Sequence, residues 1–186
     1  MKSKLERKGY SVRIIPFHKW VFANKLRARF SKVVDTKRKD RNKPYVPRRN
    51  SLAAIIKPPI AFIDNLLFYL TNRPDEKNCQ IYIYDRFICA TQVKFKALNY
   101  RVGWFKPLWW NILPDIAFIF DINERESIKR QKKRKDTYTY TASQLKTERI
   151  LYKNFANSHN FPIISPARKE DTINMIMKEL NQRFEI

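Results

Sequence analysis

Apolar residues recur at helical spacing between positions 52 and 71, where Ile55, Ile56, Ile60, Phe62, Ile63, Leu66, Leu67 and Leu70 form one broad stripe. That period predicts an amphipathic helix with the stripe against a core. Pro58 and Pro59 fall in its first half; a proline inside a helix removes a backbone donor, so a kink or a delayed start is expected. Two unbroken apolar runs, QIYIYDRF at 80–87 and PDIAFIFDI at 114–122, read instead as strands buried on both faces, as in the middle of a parallel sheet. Both end in charge, the first at Asp85 and Arg86, the second at Asp121.

Upstream, residues 2–8 read as the end of a helix closed by Gly9, and SVRIIP at 11–16 as a short strand. From 17 to 34, Trp20, Val21, Phe22, Leu26, Phe30, Val33 and Val34 recur between Lys19, Lys25, Arg27, Arg29 and Lys32, a basic amphipathic helix. Residues 35–50 (DTKRKDRNKPYVPRRN) have no period and are expected as a basic, mobile surface loop. Further helices are expected at 123–135, 143–158 and 170–184, with a short strand at 161–165. Strands alternating with helices predict an α/β fold, a three-layer α/β/α arrangement around a parallel sheet. The 186 residues suit a single domain.

Charge narrows the partners. Lys and Arg number 39 against 17 Asp and Glu, a formal +22, which favours phosphates, nucleic acid or an anionic surface. Residues 1–50 hold 17 Lys and Arg against 3 Asp and Glu, net +14, so the basic excess is concentrated there. Aromatics make up 14% of the chain, and Tyr10, Phe17, Trp20, Phe22, Phe30 and Tyr45 interleave with those cations. This combination suits phosphate contact with base stacking, so a nucleic-acid or other polyanion partner for residues 1–50 stays open. Two cysteines, Cys79 and Cys89, make neither a disulfide framework nor a full zinc ligand set and fit a reduced, cytoplasmic setting. No apolar run reaches the ~18 residues of a membrane span, and the first residues lack the apolar stretch of a signal peptide.

In an open α/β sheet, ligands bind beyond the carboxyl ends of the strands. An arginine there grips a phosphate through two parallel hydrogen bonds, and an aspartate holds magnesium or accepts from a hydroxyl. Arg86 and Asp85 therefore stand as ligand-binding candidates, the alternative being a strand cap or an ion pair. Glycine sets a limit: only Gly9 and Gly103 occur, so neither GxxxxGK[ST] nor GxGxxG exists in the chain, and those loops bring backbone N–H groups onto phosphates.

The order YDRF (84–87), PDIAFIFDI (114–122), a helix with Arg130 and Arg134 four apart, QLKTERILYKNFA (144–156) and PIIS (162–165) resembles the thymidylate kinase family of P-loop nucleotide kinases. RKGYSVRI near the start is similar to that family's GYxV segment. The resemblance covers residues 1–15 loosely and 52–186 more fully, and it implies a P-loop kinase-like fold lacking the first strand and the Walker A loop. It also implies phosphate transfer from ATP, with magnesium, to a nucleoside monophosphate. By it, Asp85 and Arg86 are catalytic, Asp85 near magnesium and Arg86 on the acceptor phosphate. Phe87 stands in the substrate site, where tyrosine or histidine is commoner. Arg130, Lys133 and Arg134 belong to a lid at 123–140 over ATP, where Arg130 and Arg134 are also catalytic, and Ala167 and Arg168 belong to the loop against its adenine. Tyr152 is expected in the core.

Three readings follow. The chain is the body of a kinase whose opening strand and P-loop lie upstream; it is a non-catalytic polyanion-binding module; or it pairs with another chain that supplies the strand. A homodimer stays open as well. As written, the sequence predicts a poor kinase, because its main anchor for the β- and γ-phosphates is missing.

Overall fold

The computed structural model describes residues 1–16, 52–72, 74, 80–100, 102, 112–134 and 140–184. The expected helix at 17–34, the loop at 35–50, Cys79 and the tryptophans at 104, 109 and 110 lie outside these residues. A short helix, α1 (Lys2–Arg7), turns into β1 (Val12–Pro16). The turn is made at Gly9, whose φ of 92° is one that a residue with a Cβ rarely adopts. The Gly9 N–H donates to the Glu6 carbonyl at 3.0 Å and the Tyr10 N–H to that of Leu5 at 3.2 Å, the paired bonds that close a helix end.

β1 lies parallel to β2 (Ile81–Asp85), with Val12 opposite Ile81 and Pro16 opposite Asp85. Ser11 and Gln80 fix this register. The Ser11 N–H donates to Gln80 Oε1 at 3.2 Å, and the Gln80 N–H to Ser11 Oγ at 3.0 Å. β3 (Ile119–Phe120) lies parallel to β4 (Ile163–Ile164). α2 (Leu52–Thr71) lies between β1 and β2 in sequence, and α3 (Ile88–Ala97) directly follows β2; α4 (Glu124–Arg134) and α5 (Ala142–Ser158) separate β3 from β4, and α6 (Lys169–Phe184) follows. The sequence reading had assigned nothing to 88–97. α3 and α5 end as α1 does, with Asn99 (φ 60°) and Asn160 (φ 54°) in the glycine's place, asparagine being among the few side chains that tolerate this region.

The parallel α/β character expected from the sequence is present. The single sheet is not: among the described residues β2 pairs with β1 and β3 with β4, and no ladder joins the halves. A cavity of about 510 Å³ is lined by β2 and by residues 114–120, with Met1, Leu5, Ile176 and Leu180 also at its walls. One core gathers Leu5, Val12, Ile176, Met177 and Leu180. A second lies where α3 meets α5, with Ile88, Cys89 and Val93 buried on one helix and Phe155 and Ala156 on the other. His159 meets the Phe155 ring edge-on at 4.7 Å and Phe161 meets it tilted at 5.7 Å. No helix among the described residues is long and apolar enough to cross a membrane.

α2 corrects the sequence reading in two ways. It runs from Leu52 through Pro58 and Pro59 without a delayed start. Its faces are also reversed. Ile55, Ile60, Ile63, Leu67 and Leu70 are exposed, while Pro58, Asp64, Asn65 and Phe68 are buried. α2 is apolar nearly all round, so its period does not reveal which side faces in. It packs against α3. In the buried parts of these two helices, Asn65 Nδ2 and both side-chain polar atoms of Gln92 make no hydrogen bond.

A buried amide without partners carries its full desolvation cost, whereas an apolar side chain of similar size does not. Gln92→Leu is expected to raise the thermal midpoint by about 2 to 4 °C, equivalent to ~1 kcal/mol in a domain of this size. Differential scanning calorimetry checks this, and an unchanged or lower midpoint contradicts it.

Candidate functional site

A basin of about 570 Å³ opens where β2 and β3 end. Arg86 enters it from the residue after β2, Lys94 from α3, Asp121 from the residue after β3, Arg130 from α4, and Glu148, Arg149, Tyr152 and Lys153 from α5. α5 contributes two rows at i, i+4 spacing, Glu148 with Tyr152 and Arg149 with Lys153, and residues so spaced share a helix face. The start of the helix is fixed by Thr141. Its hydroxyl accepts from the Gln144 N–H while Gln144 Oε1 accepts from the Thr141 N–H, a reciprocal cap. Phe155, 2% exposed, anchors the other end.

Five cations therefore line the basin with two carboxylates, Asp121 and Glu148, and the carboxylates differ. Asp121 accepts hydrogen bonds from Arg149 Nε and Nη2 and lies 2.8 Å from Lys153 Nζ. The hydrogen bonds from Arg149, and then from Lys153, hold its carboxyl well below the usual range. Arg149 also reaches Glu124 at 3.5 Å, and its bond to Asp121 keeps it more firmly charged than usual. Burial pushes Glu148 the opposite way, upward, although Lys94 and Arg86 favour its charged form. Burial raises the neighbouring Tyr152 hydroxyl as well, helped by Glu148. Lys94 Nζ stands 5.0 Å from the centre of the Tyr140 ring, and Arg130 pairs with Glu126 at 2.8 Å.

Among the described residues, Arg86 and Lys94 are the two of these cations whose side chains make no ion pair or hydrogen bond. Lys94 keeps its ring contact, and Arg86 has none. Its backbone has φ 76°, a conformation costing an ordinary side chain ~1–2 kcal/mol and concentrated at ligand sites.

The sequence candidates divide. Arg86 and Arg130 line the basin, and Tyr152, expected in the core, does so too. Asp85 does not: it closes β2, is exposed, and lines the cavity between the sheet halves. Phe87 stands at the N-terminus of α3, its ring edge-on to Tyr84 at 5.3 Å and Tyr69 at 6.0 Å, outside the basin. Lys133 is exposed on α4, and Arg134 ends that helix with its side chain outside the described residues. Ala167 and Arg168 are exposed before α6, and Arg168 lies 3.4 Å from Asp171. Sequence reasoning missed Lys94, Glu148, Arg149 and Lys153. The signal for the last three was the double i, i+4 pattern within QLKTERILYKNFA.

For magnesium, no group of three His, Cys, Asp or Glu gathers among the described residues. Asp85 offers one carboxylate, which fits an ion held mainly by phosphate oxygens and water. For a nucleotide, the cations of the basin fit a phosphate, and its aromatic walls, Phe120, Tyr140 and Tyr152, fit a base or sugar.

No family model and no curated protein matches the chain. Among solved structures it is similar to deoxyadenosine kinase from M. mycoides with bound dATP, at 15% identity and a TM-score of 0.46, covering 92% of this chain and 99% of the other. The same enzyme with dCMP and a flexible dCDP bound gives 16% identity and a TM-score of 0.47, covering 92% and 98%.

The two carboxylates are expected to answer pH oppositely. Asp121, depressed in the folded state, stabilises above its ordinary titration range, and that contribution is lost as pH falls through the range toward its folded value. Glu148, raised in the folded state, contributes most at acidic pH and loses that contribution as pH rises through its folded value. Asp121→Asn is thus expected to lower the thermal midpoint at neutral pH by about 2 to 4 °C, with the deficit closing in strong acid. Glu148→Gln is expected to raise it at neutral pH and leave it unchanged in acid. Melting curves across pH check both signs.

Proposed function

We propose that the basin is the acceptor site of a nucleotide-kinase-like phosphotransferase and binds a nucleoside monophosphate. The observation that carries this reading is Arg86, a cation without a carboxylate partner among the described residues, held at a left-handed φ at the mouth of the basin. Its planar guanidinium suits two oxygens of one phosphate. Lys94 adds a second charge to the same basin. Phe120, 51% exposed at the wall, offers a ring on which a base can stack. Asp121 holds Arg149 and Lys153 in place, so the phosphate meets a fixed field rather than mobile side chains.

Transfer from ATP would draw on Asp85 for magnesium and on Arg130 and Arg134 for the charge of the moving phosphoryl group, with Lys133, Ala167 and Arg168 farther along the nucleotide. The γ-phosphoryl group of ATP would pass to a phosphate oxygen of the bound monophosphate, breaking its bond to ADP, which leaves, and giving a nucleoside diphosphate. The chain has no glycine-rich cradle for those phosphates, and the proposal for the acceptor side does not depend on one. The finer assignment to a thymidylate-type acceptor rests on the sequence motif at 84–87.

The polyanion-binding reading rests mainly on residues 17–50, outside the described residues. Within residues 1–16, Lys2 lies 3.5 Å from Glu6, and Lys4 and Lys8 donate to Asn174 and Asn181 at 2.7 and 3.2 Å. These bonds favour docking of α1 on α6.

Calorimetric titration with the nucleoside monophosphates is expected to give binding that Arg86→Ala weakens by about 10- to 100-fold, the worth of a charge-assisted phosphate contact. Arg86→Lys is expected to recover part of it. Binding that ignores both substitutions, or no binding by any nucleotide, counts against the reading. Phosphorus NMR with added ATP and magnesium tests transfer separately.

A further inference from the structure

Asp121 and Glu148 share the basin wall, but only Asp121 is engaged there. Arg149 and Lys153 bond to it, while Glu148 makes no ion pair or hydrogen bond with another described residue. The position of Glu148 is nonetheless fixed. α5 is capped at Thr141 and packs on α3 beside buried Phe155 and Ala156, which holds residue 148 half-buried, one turn before Tyr152. The cations whose charge reaches it are Lys94 and Arg86, the two with no carboxylate bonded to them. A carboxyl group thus faces the same pair of cations that would hold a phosphate.

Two acids at one pair of cations do not ionise independently. A phosphate monoester gives up its second proton at pH ~6, and Arg86 and Lys94 favour the dianion that results. Glu148 is pushed the other way, because burial already opposes its charge and an arriving dianion opposes it further. One proton shared by the pair therefore settles on the carboxyl. The charges agree with this: with Glu148 neutral, the two cations match a phosphate dianion, whereas an ionised Glu148 leaves a negative charge half-buried and uncompensated, which is costly. A neutral carboxyl also donates a hydrogen bond, which a carboxylate does not.

The other groups around Glu148 do not compete for this proton. On its own helix, burial raises Tyr152, and on α3 burial pushes Cys89 up to about 11, so both stay protonated at neutral pH. Asp121, after β3, is held charged by Arg149 and Lys153. Arg130, on α4, pairs with Glu126, and the Tyr140 ring, just before α5, lies against Lys94.

Resting on the acceptor-site reading, we propose that Glu148 is the proton partner of the bound phosphate: on binding it takes up one proton and donates a hydrogen bond to a phosphate oxygen held by Arg86 and Lys94. A monoanionic ligand brings the proton itself, its phosphate O–H bond breaking as the Glu148 O–H bond forms; a dianion draws it from water. No other bond changes. A site built in this way prefers a terminal phosphate monoester, which can shed its second proton, over a diester, which has none to shed. It also leaves the acceptor oxygen unprotonated, with a lone pair free for the incoming phosphoryl group.

Isothermal calorimetry with thymidine and deoxyadenosine monophosphates, repeated in buffers of different ionisation enthalpy, counts the protons. The wild type is expected to take up as much as one proton per site around pH ~7, where Glu148 is ionised in the free protein and neutral in the complex, with affinity falling by up to about tenfold per pH unit as pH rises. Glu148→Gln, a permanently neutral donor, is expected to take up none, to bind evenly from pH ~7 upward, and to exceed the wild type there. A side chain that only shaped the wall would change affinity equally at every pH. Should the variant misfold, the infrared difference spectrum of the wild type on binding is expected to lose a carboxylate band and gain a protonated-carboxyl band. Binding without proton uptake overturns the proposal, as does uptake that persists in Glu148→Gln. If neither monophosphate binds, the acceptor-site reading itself fails, and the proton coupling falls with it.

Discussion

The carboxylate of Asp121 joins the end of β3 to α5 through two hydrogen bonds from Arg149 and one from Lys153, and the basin takes its form from that junction. Without a carboxylate, two cations would face each other on one helix face with nothing to orient them. With it, the Arg149–Lys153 row is tied to the strand, and the Glu148–Tyr152 row is left toward Arg86 and Lys94. The same bonds separate the two acidic groups: Asp121 is held charged by its partners, and Glu148 is driven toward its neutral form by burial. One basin thus offers a firmly charged anion, a carboxyl that burial makes harder to ionise, and an arginine without an ion pair among the described residues.

Much of the fold was legible because its signals are local. Gly9 marked the end of α1, the apolar runs marked β2 and β3, and charge at their ends marked the side on which a ligand would sit. α3 was not legible: ICATQVKFKA shows little amphipathic period, since its partners α2 and α5 lie on different sides. α2 was legible as a helix but not in its orientation, because apolar residues nearly encircle it. The lone pairings of β3 with β4 and of β2 with β1 were also out of reach, since sheet closure is a matter of long-range contact.

The site was legible at its arginines and less so elsewhere. A strand-end arginine is a strong local sign, and Arg86 and Arg130 lie in the basin. Phe87 and Asp85 flank Arg86 in sequence yet fall outside it, because Asp85 is still the last residue of β2, Arg86 turns the chain at its left-handed φ, and Phe87 already caps α3. Lys94, Glu148, Arg149 and Lys153 come from helices, where a charged residue looks like ordinary solvated surface until the tertiary packing is known.

The cavity between the sheet halves also separates the two strand ends that wall the basin. Arg86 rides on the β1–β2 half and Asp121 on the β3–β4 half, and no backbone ladder spans the distance between them among the described residues. The gap across the binding surface is therefore set by helices bridging the halves, as a caliper's jaws are set by its frame. Arg86 lines that cavity as well as the basin, so an occupant of either one meets a residue that the other shares.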